Sequence, residues 1–166
     1  MTDELSFAAS QVLIIDTGPL WELVLYSAVH ELGFTRLSSD IVHLRDRDAF
    51  QKLTEFIARF RTRTTSPHVV AEISRHLQTT QKKGHLNLWE ITCRQFSAMG
   101  LDEKLVKLLE MPSELLGQFG AVDTGLLQLG INVISAKPCL LTTDAPLLAE
   151  FYRSKLPGIH LQSIIS

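Results

Sequence analysis

The chain is short of cysteine, of net charge and of long apolar runs. Its 166 residues hold two cysteines, Cys93 and Cys139, far apart. This excludes a disulfide-stapled scaffold and fits a reduced, cytoplasmic setting in which both thiols are small buried apolar groups. The formal net charge is −2. A general polyanion binder is excluded, and any contact with nucleic acid must come from a local basic patch or a bound cation. The six histidines are scattered, and no Cys/His set has zinc spacing. Leu20 to Leu32 is apolar but short, and Glu22, His30 and Glu31 interrupt it, so it reads as a core helix and not as a membrane span. Met1-Thr2-Asp3-Glu4 opens acidic where a secretory leader opens basic. No low-complexity tail, Gly/Ser linker or fixed-period repeat is visible.

What is present is an apolar fraction of 45%, enough for a proper core in one domain. Residues 1–10 read as a lead-in and 11–166 as the domain. Val12-Leu13-Ile14-Ile15 lacks alternation, as does a strand buried on both faces of a parallel sheet. Asp16 ends it, and Thr17-Gly18-Pro19-Leu20 turns the chain into a helix that runs to Leu32, with Gly33 as its stop. From Phe34 to Arg45 the chain is polar and irregular, with room for a short extra strand. Asp46 caps a second helix through Phe60, and Arg59, Arg61 and Arg63 sit at its end, where the backbone dipole favours cations. Ser66-Pro67 opens a third helix with the stripe Val69, Ile73, Leu77. Leu86 to Met99 and Leu101 to Leu109 read as two further helices, part of a helical insertion over about 80–112. Another helix covers at least Gly120 to Leu129. Cys139 to Thr143 is a second buried strand ending in Asp144, followed by a helix from Ala145 to about Lys155. Ile159 to Ile164 closes the chain as a strand. Strands alternating with helices make an α/β sandwich with a mainly parallel sheet.

Two strands in this small domain share one design: an apolar run, an Asp, then a helix with Pro near its start. Each Asp, read alone, is also a helix cap. Together they are acids at the carboxyl ends of parallel strands, where open α/β sheets hold ligands. Asp123 fits a capping role less well. It lies among Val122, Leu126 and Leu127 with no basic residue within a helical turn, and a buried carboxylate without a partner costs several kcal/mol. Glu72 stands beside the third helix's apolar stripe, where a glutamate is also at home at the solvent boundary. Oxygen-only ligands suit Mg²⁺ or Mn²⁺, and an ion held there can activate water against a phosphodiester.

In this order the motifs resemble the PIN-domain ribonuclease family. They are Ile15-Asp16-Thr17-Gly18-Pro19-Leu20, Val70-Ala71-Glu72-Ile73, Ala121-Val122-Asp123-Thr124 and Leu141-Thr142-Thr143-Asp144. The resemblance covers about residues 11–164. It implies a PIN-like three-layer α/β/α sandwich in which Asp16, Glu72, Asp123 and Asp144 hold one or two Mg²⁺ or Mn²⁺ ions, with Thr142 supporting them through its hydroxyl. It further implies a metal-dependent endoribonuclease. Many small family members resemble the toxin half of toxin–antitoxin pairs, which implies an antitoxin partner. The helical stretch from Leu86 to Met111 is larger than usual for that type. The family also holds members without demonstrated cleavage, so a PIN-like interaction module is the alternative.

Arg45, Arg47, Arg59, Arg61, Arg63, Arg75, Lys82 and Lys83 are candidates for the RNA backbone, and equally ordinary surface charges. Trp21 and Trp89 lie beside leucines on predicted helices and read as core or interface packing, not as base-stacking platforms. The helices from Leu20 and Leu86 leave surface for a homodimer. A receiver-like domain also carries acids at strand ends, but Lys137 precedes Asp144 where that fold needs a later lysine.

Overall fold

The computed structural model describes residues 10–33, 41–81 and 88–166. The expected lead-in over 1–9, residues 34–40, Lys82, Lys83 and the start of the helix expected at Leu86 lie outside the described residues. Five strands form one sheet: β1 (Val12–Ile15), β2 (Thr62–Thr65), β3 (Leu101–Glu103), β4 (Pro138–Thr142) and β5 (Gly158–His160). Their order is β3-β2-β1-β4-β5, and every pairing is parallel. Seven helices flank it among the described residues. They are α1 (Thr17–Leu32), α2 (Arg47–Ala58), α3 (Pro67–Gln81), α4 (Leu88–Met99), α5 (Ser113–Asn132), α6 (Ala145–Arg153) and α7 (Gln162–Ile165). The architecture is a three-layer α/β/α sandwich. No helix among the described residues is long and apolar enough to cross a membrane.

β1 is central because its sequence can be buried on both faces: Leu13, Ile14 and Ile15 are all 0% exposed. The chain moves outward from β1 through β2 to β3, then returns to β4 on the other side. This reversal makes the carboxyl ends of β1 and β4 a topological switch point, the crevice where such sheets bind ligands. Register sets what meets there. Ile15 pairs with Leu141, so Asp16, just past β1, and Thr142, the last residue of β4, come side by side.

β2 has no apolar run and its sequence, TRTT, hid it from periodicity. It holds its place because threonine is β-branched and its hydroxyls find main-chain acceptors. Thr65 Oγ1 donates to the Ile15 carbonyl at 2.8 Å and Thr64 Oγ1 to that of Asp102 at 3.0 Å. The stretch from Leu101, expected as a helix, is strand β3 followed by a 3-10 turn over Leu108–Glu110. Gly100, at φ 60°, ends α4 and turns the chain back along the sheet. Within the segment expected as a helical insertion, β3 thus joins the sheet as its edge strand. The last expected strand stops at His160, and the chain curls into α7. Ile41 to Arg45 forms no strand. Cys139 is buried as expected, but Cys93 is exposed on α4.

Candidate active site

Asp16 does two things at once. It caps α1, its Oδ1 accepting from the Thr17 amide at 2.6 Å. Its other oxygen accepts from the Thr142 hydroxyl at 2.6 Å. The Thr142 Oγ1 in turn accepts from the Asp144 amide at 2.9 Å. One hydroxyl from β4 thus fixes the end of β1 and the acid two residues along its own strand. Asp144 caps α6 through a 2.7 Å bond from the Leu147 amide to its Oδ1. Capping and clustering, alternatives on sequence, coexist because each carboxylate has two oxygens.

Glu72 comes to the same crevice from α3. Its Oε2 accepts from Thr17 Oγ1 at 2.7 Å, and its Oε1 stands 3.3 Å from the exposed Arg75 guanidinium. Thr17 therefore bridges two acids, with its amide on Asp16 and its hydroxyl on Glu72. Asp123 arrives from α5. Gly120, at φ 78° and ψ 179°, breaks that helix, so Asp123 lies in the first turn of the segment that follows.

The electrostatics join these positions. Burial raises the Asp16 carboxyl to about 6, with the charges of Asp144 and Glu72 adding to it and the bonds from Thr142 and Thr17 opposing. Burial raises Asp123 to about 7, and the charges of Asp16, Asp144 and Glu72 push the same way. Among the described residues, Asp16, Asp123 and Asp144 form no ion pair with Lys, Arg or His. Two side-chain atoms beside them are buried and unpaired: Thr124 Oγ1, next to Asp123, and His68 Nδ1, which faces Gly125 from the first turn of α3.

As placed, no three His, Cys, Asp or Glu among the described residues are gathered closely enough to hold a metal ion. The acids ring the crevice without closing into a cage. The donor set, carboxylate oxygens of which only those of Glu72 meet a cation among the described residues, still fits a hard divalent ion. Mg²⁺ in particular takes one or two carboxylates and completes its shell with water or phosphate.

Three features escaped sequence reading. Thr17 was legible only as a hydroxyl placed directly after a strand-ending acid. Gly18 packs on the β4–α6 connection, where a Cβ would stand 2.0 Å from Thr143 Oγ1. Glu22, taken as an interruption in an apolar helix, is buried, and its Oε2 accepts from the His43 and Leu44 amides at 2.9 Å each. It ties residues 43–44 to α1, with His43 Nδ1 also 2.6 Å from its Oε1. Among the basic candidates, Arg63 is committed elsewhere. Its guanidinium donates to the carbonyls of Ile57, Ala58 and Met99 at 3.1–3.2 Å, clamping the ends of α2 and α4. Arg45 donates to the Val42 carbonyl, while Arg47, Arg59, Arg61 and Arg75 are exposed. No protein-family model and no curated protein matches this chain.

Proposed function

We propose that this chain is a PIN-like, metal-dependent endoribonuclease. One observation carries the reading: Asp16, Asp123 and Asp144 converge without an ion-pair partner among the described residues, and burial together with the charges of Asp16, Asp144 and Glu72 raises Asp123 to about 7. A cluster of this kind holds together at neutral pH through protonation or through a bound cation. Asp16, Glu72, Asp123 and Asp144 are the residues that would hold Mg²⁺ or Mn²⁺. Bound there, the ion would supply a Lewis acid and an activated water for attack on a phosphodiester. The chain's own contribution is orientation. Thr142 and Thr17 donate their hydroxyl protons to Asp16 and Glu72 and so fix both carboxylates, whose oxygens each keep a further lone pair for a cation. Asp144 spends one oxygen on the α6 cap and keeps the other. The substrate is RNA, and a cytoplasmic setting belongs to the same proposal, as do an antitoxin partner and a homodimer.

The test is cleavage of a mixed RNA panel with Mg²⁺, Mn²⁺ or EDTA, using the wild type, Asp16→Asn and Asp123→Asn. Metal-dependent cutting that both substitutions abolish supports the proposal. Cutting that persists in both, or that EDTA leaves intact, overturns it. A second reading, an interaction module without catalysis, draws on Leu105, Leu108 and Leu109, which are 73%, 59% and 97% exposed beside the β3 edge. No cleavage under any condition, with capture of a protein partner lost on Leu109→Lys, would favour it.

A further inference from the structure

A pair of aromatic rings spans the two helices that carry Thr17 and Glu72. Trp21 of α1 stacks on His76 of α3, with ring centroids 5.3 Å apart and planes 28° from parallel. Trp21 follows Thr17 by four residues, and His76 follows Glu72 by four. Both helices start at the carboxyl end of the sheet and descend from it. The Trp21–His76 stack is therefore the next rung below the Thr17–Glu72 contact, about 6 Å along the helix axes. Arg75 stands at the same rung, its side chain 71% exposed.

Trp21 packs against the core as expected, yet the stack is not sealed within it. Trp21 and His76 are each half-buried. Among the described residues, the unpaired and fully buried side-chain polar atoms are His68 Nδ1 and Thr124 Oγ1. The Trp21 indole N–H and the His76 ring nitrogens are not among these and have no hydrogen-bond partner among the described residues, so their polar edges keep some contact with solvent. Two flat rings with an exposed arginine beside them, its guanidinium also 3.3 Å from Glu72, are the equipment of a single-strand binding surface, where bases stack on aromatics and guanidinium groups meet phosphate.

We infer that Trp21 and His76 form a stacking platform for a nucleobase of single-stranded RNA, flanking the phosphate held at the acids, with Arg75 as the backbone contact. The inference rests on the ribonuclease reading for its substrate class. It gives that site a preference for unpaired strands, since a base inside a duplex offers no free face. It requires no sequence preference, because every base has a face to stack.

The experiment is binding of a fluorescently labelled hexauridylate to the full chain in EDTA, read by anisotropy. An abasic oligomer of the same length and an RNA hairpin serve as controls. Trp21→Leu and His76→Leu should each weaken hexauridylate binding on the order of 10-fold, and Trp21→Phe should retain it within about 2-fold. Binding of the abasic oligomer should be the same in all of them, and the hairpin should bind more weakly than hexauridylate. Thermal melts identify any variant that fails to fold, and His76→Leu then stands in for Trp21→Leu. The platform is refuted if the leucine variants bind hexauridylate like the wild type, if they lose both oligomers equally, or if the wild type does not distinguish the two. Metal-dependent cleavage is measured separately. Base-dependent binding without cleavage would sink the nuclease reading and keep the platform, and cleavage without base-dependent binding would do the reverse.

Discussion

The Thr142 hydroxyl has one proton and two lone pairs, and the proton and one of the pairs are directed at the acids. It donates to Asp16 and accepts from the Asp144 amide. Thr17 performs the matching task between Asp16 and Glu72. Such outer partners of a metal ligand are typically worth roughly 10- to 100-fold in metal affinity. Thr17→Val keeps the shape and removes the hydroxyl, so it should weaken Mn²⁺ binding by about 10- to 100-fold with little loss of fold, as titration calorimetry would show. Asp123→Asn should go further and separate two properties. It removes a carboxylate whose ionisation is opposed by burial and by three neighbouring charges. RNA cleavage should fall by on the order of 100-fold or more. The metal-free protein should nonetheless melt at a higher temperature than the wild type at pH 8, because less like charge is confined in the crevice. A lower melting temperature would show that Asp123 has a stabilising partner.

Among the elements, the contact between the first turn of α1 and the β4–α6 connection sets the separation of Asp16 and Asp144. Gly18 allows it, since a Cβ there would lie 2.0 Å from Thr143 Oγ1. Gly18→Ala should cost about 1–3 kcal/mol by overpacking. Adding Thr143→Ala removes the hydroxyl that is struck and should recover part of that loss, measurable in paired urea melts. The elements most legible in the sequence were those whose stability is local or apolar. β1 and β4 announced themselves as uninterrupted apolar runs. α1, α2 and α3 announced themselves through Asp16, Asp46 and Ser66 at their starts, and all three side chains accept from main-chain amides as expected. β2 and β3 were illegible because neither is apolar. A threonine-rich strand and a three-residue acidic edge are held by partners distant in sequence, which no window along the chain can see. The same divide runs through the site. Asp16 and Asp144 were readable from their place at strand ends, whereas Thr17 and Gly18 matter only through what α3 and β4 bring against them.

For the molecule as a whole, the raised carboxyls make stability depend on pH. Asp16 at about 6 and Asp123 at about 7 hold their protons more tightly folded than at the ordinary value of 3.8. Below about pH 4 both states are protonated and this contribution is complete. As pH rises from there to about 7, the unfolded chain releases its protons first, so the contribution declines and then levels off. In EDTA the wild type should therefore lose melting temperature over that interval relative to an Asp16→Asn/Asp123→Asn double variant. Added Mn²⁺ should close the gap at pH 8 for the wild type alone. A parallel pH course for the two proteins would show that these acids are neutralised by groups of the chain itself.

The strand order also dictates a timetable for synthesis. Of the five strands β1 leaves the ribosome first, yet one of its two neighbours, β4, is encoded about 120 residues later. At typical elongation rates of roughly 5–20 residues per second, one flank of Val12-Leu13-Ile14-Ile15 waits many seconds for its mate. Until β4 emerges, that hydrophobic ribbon is a sticky edge for chaperones to shield, and the acids of the crevice have no common address.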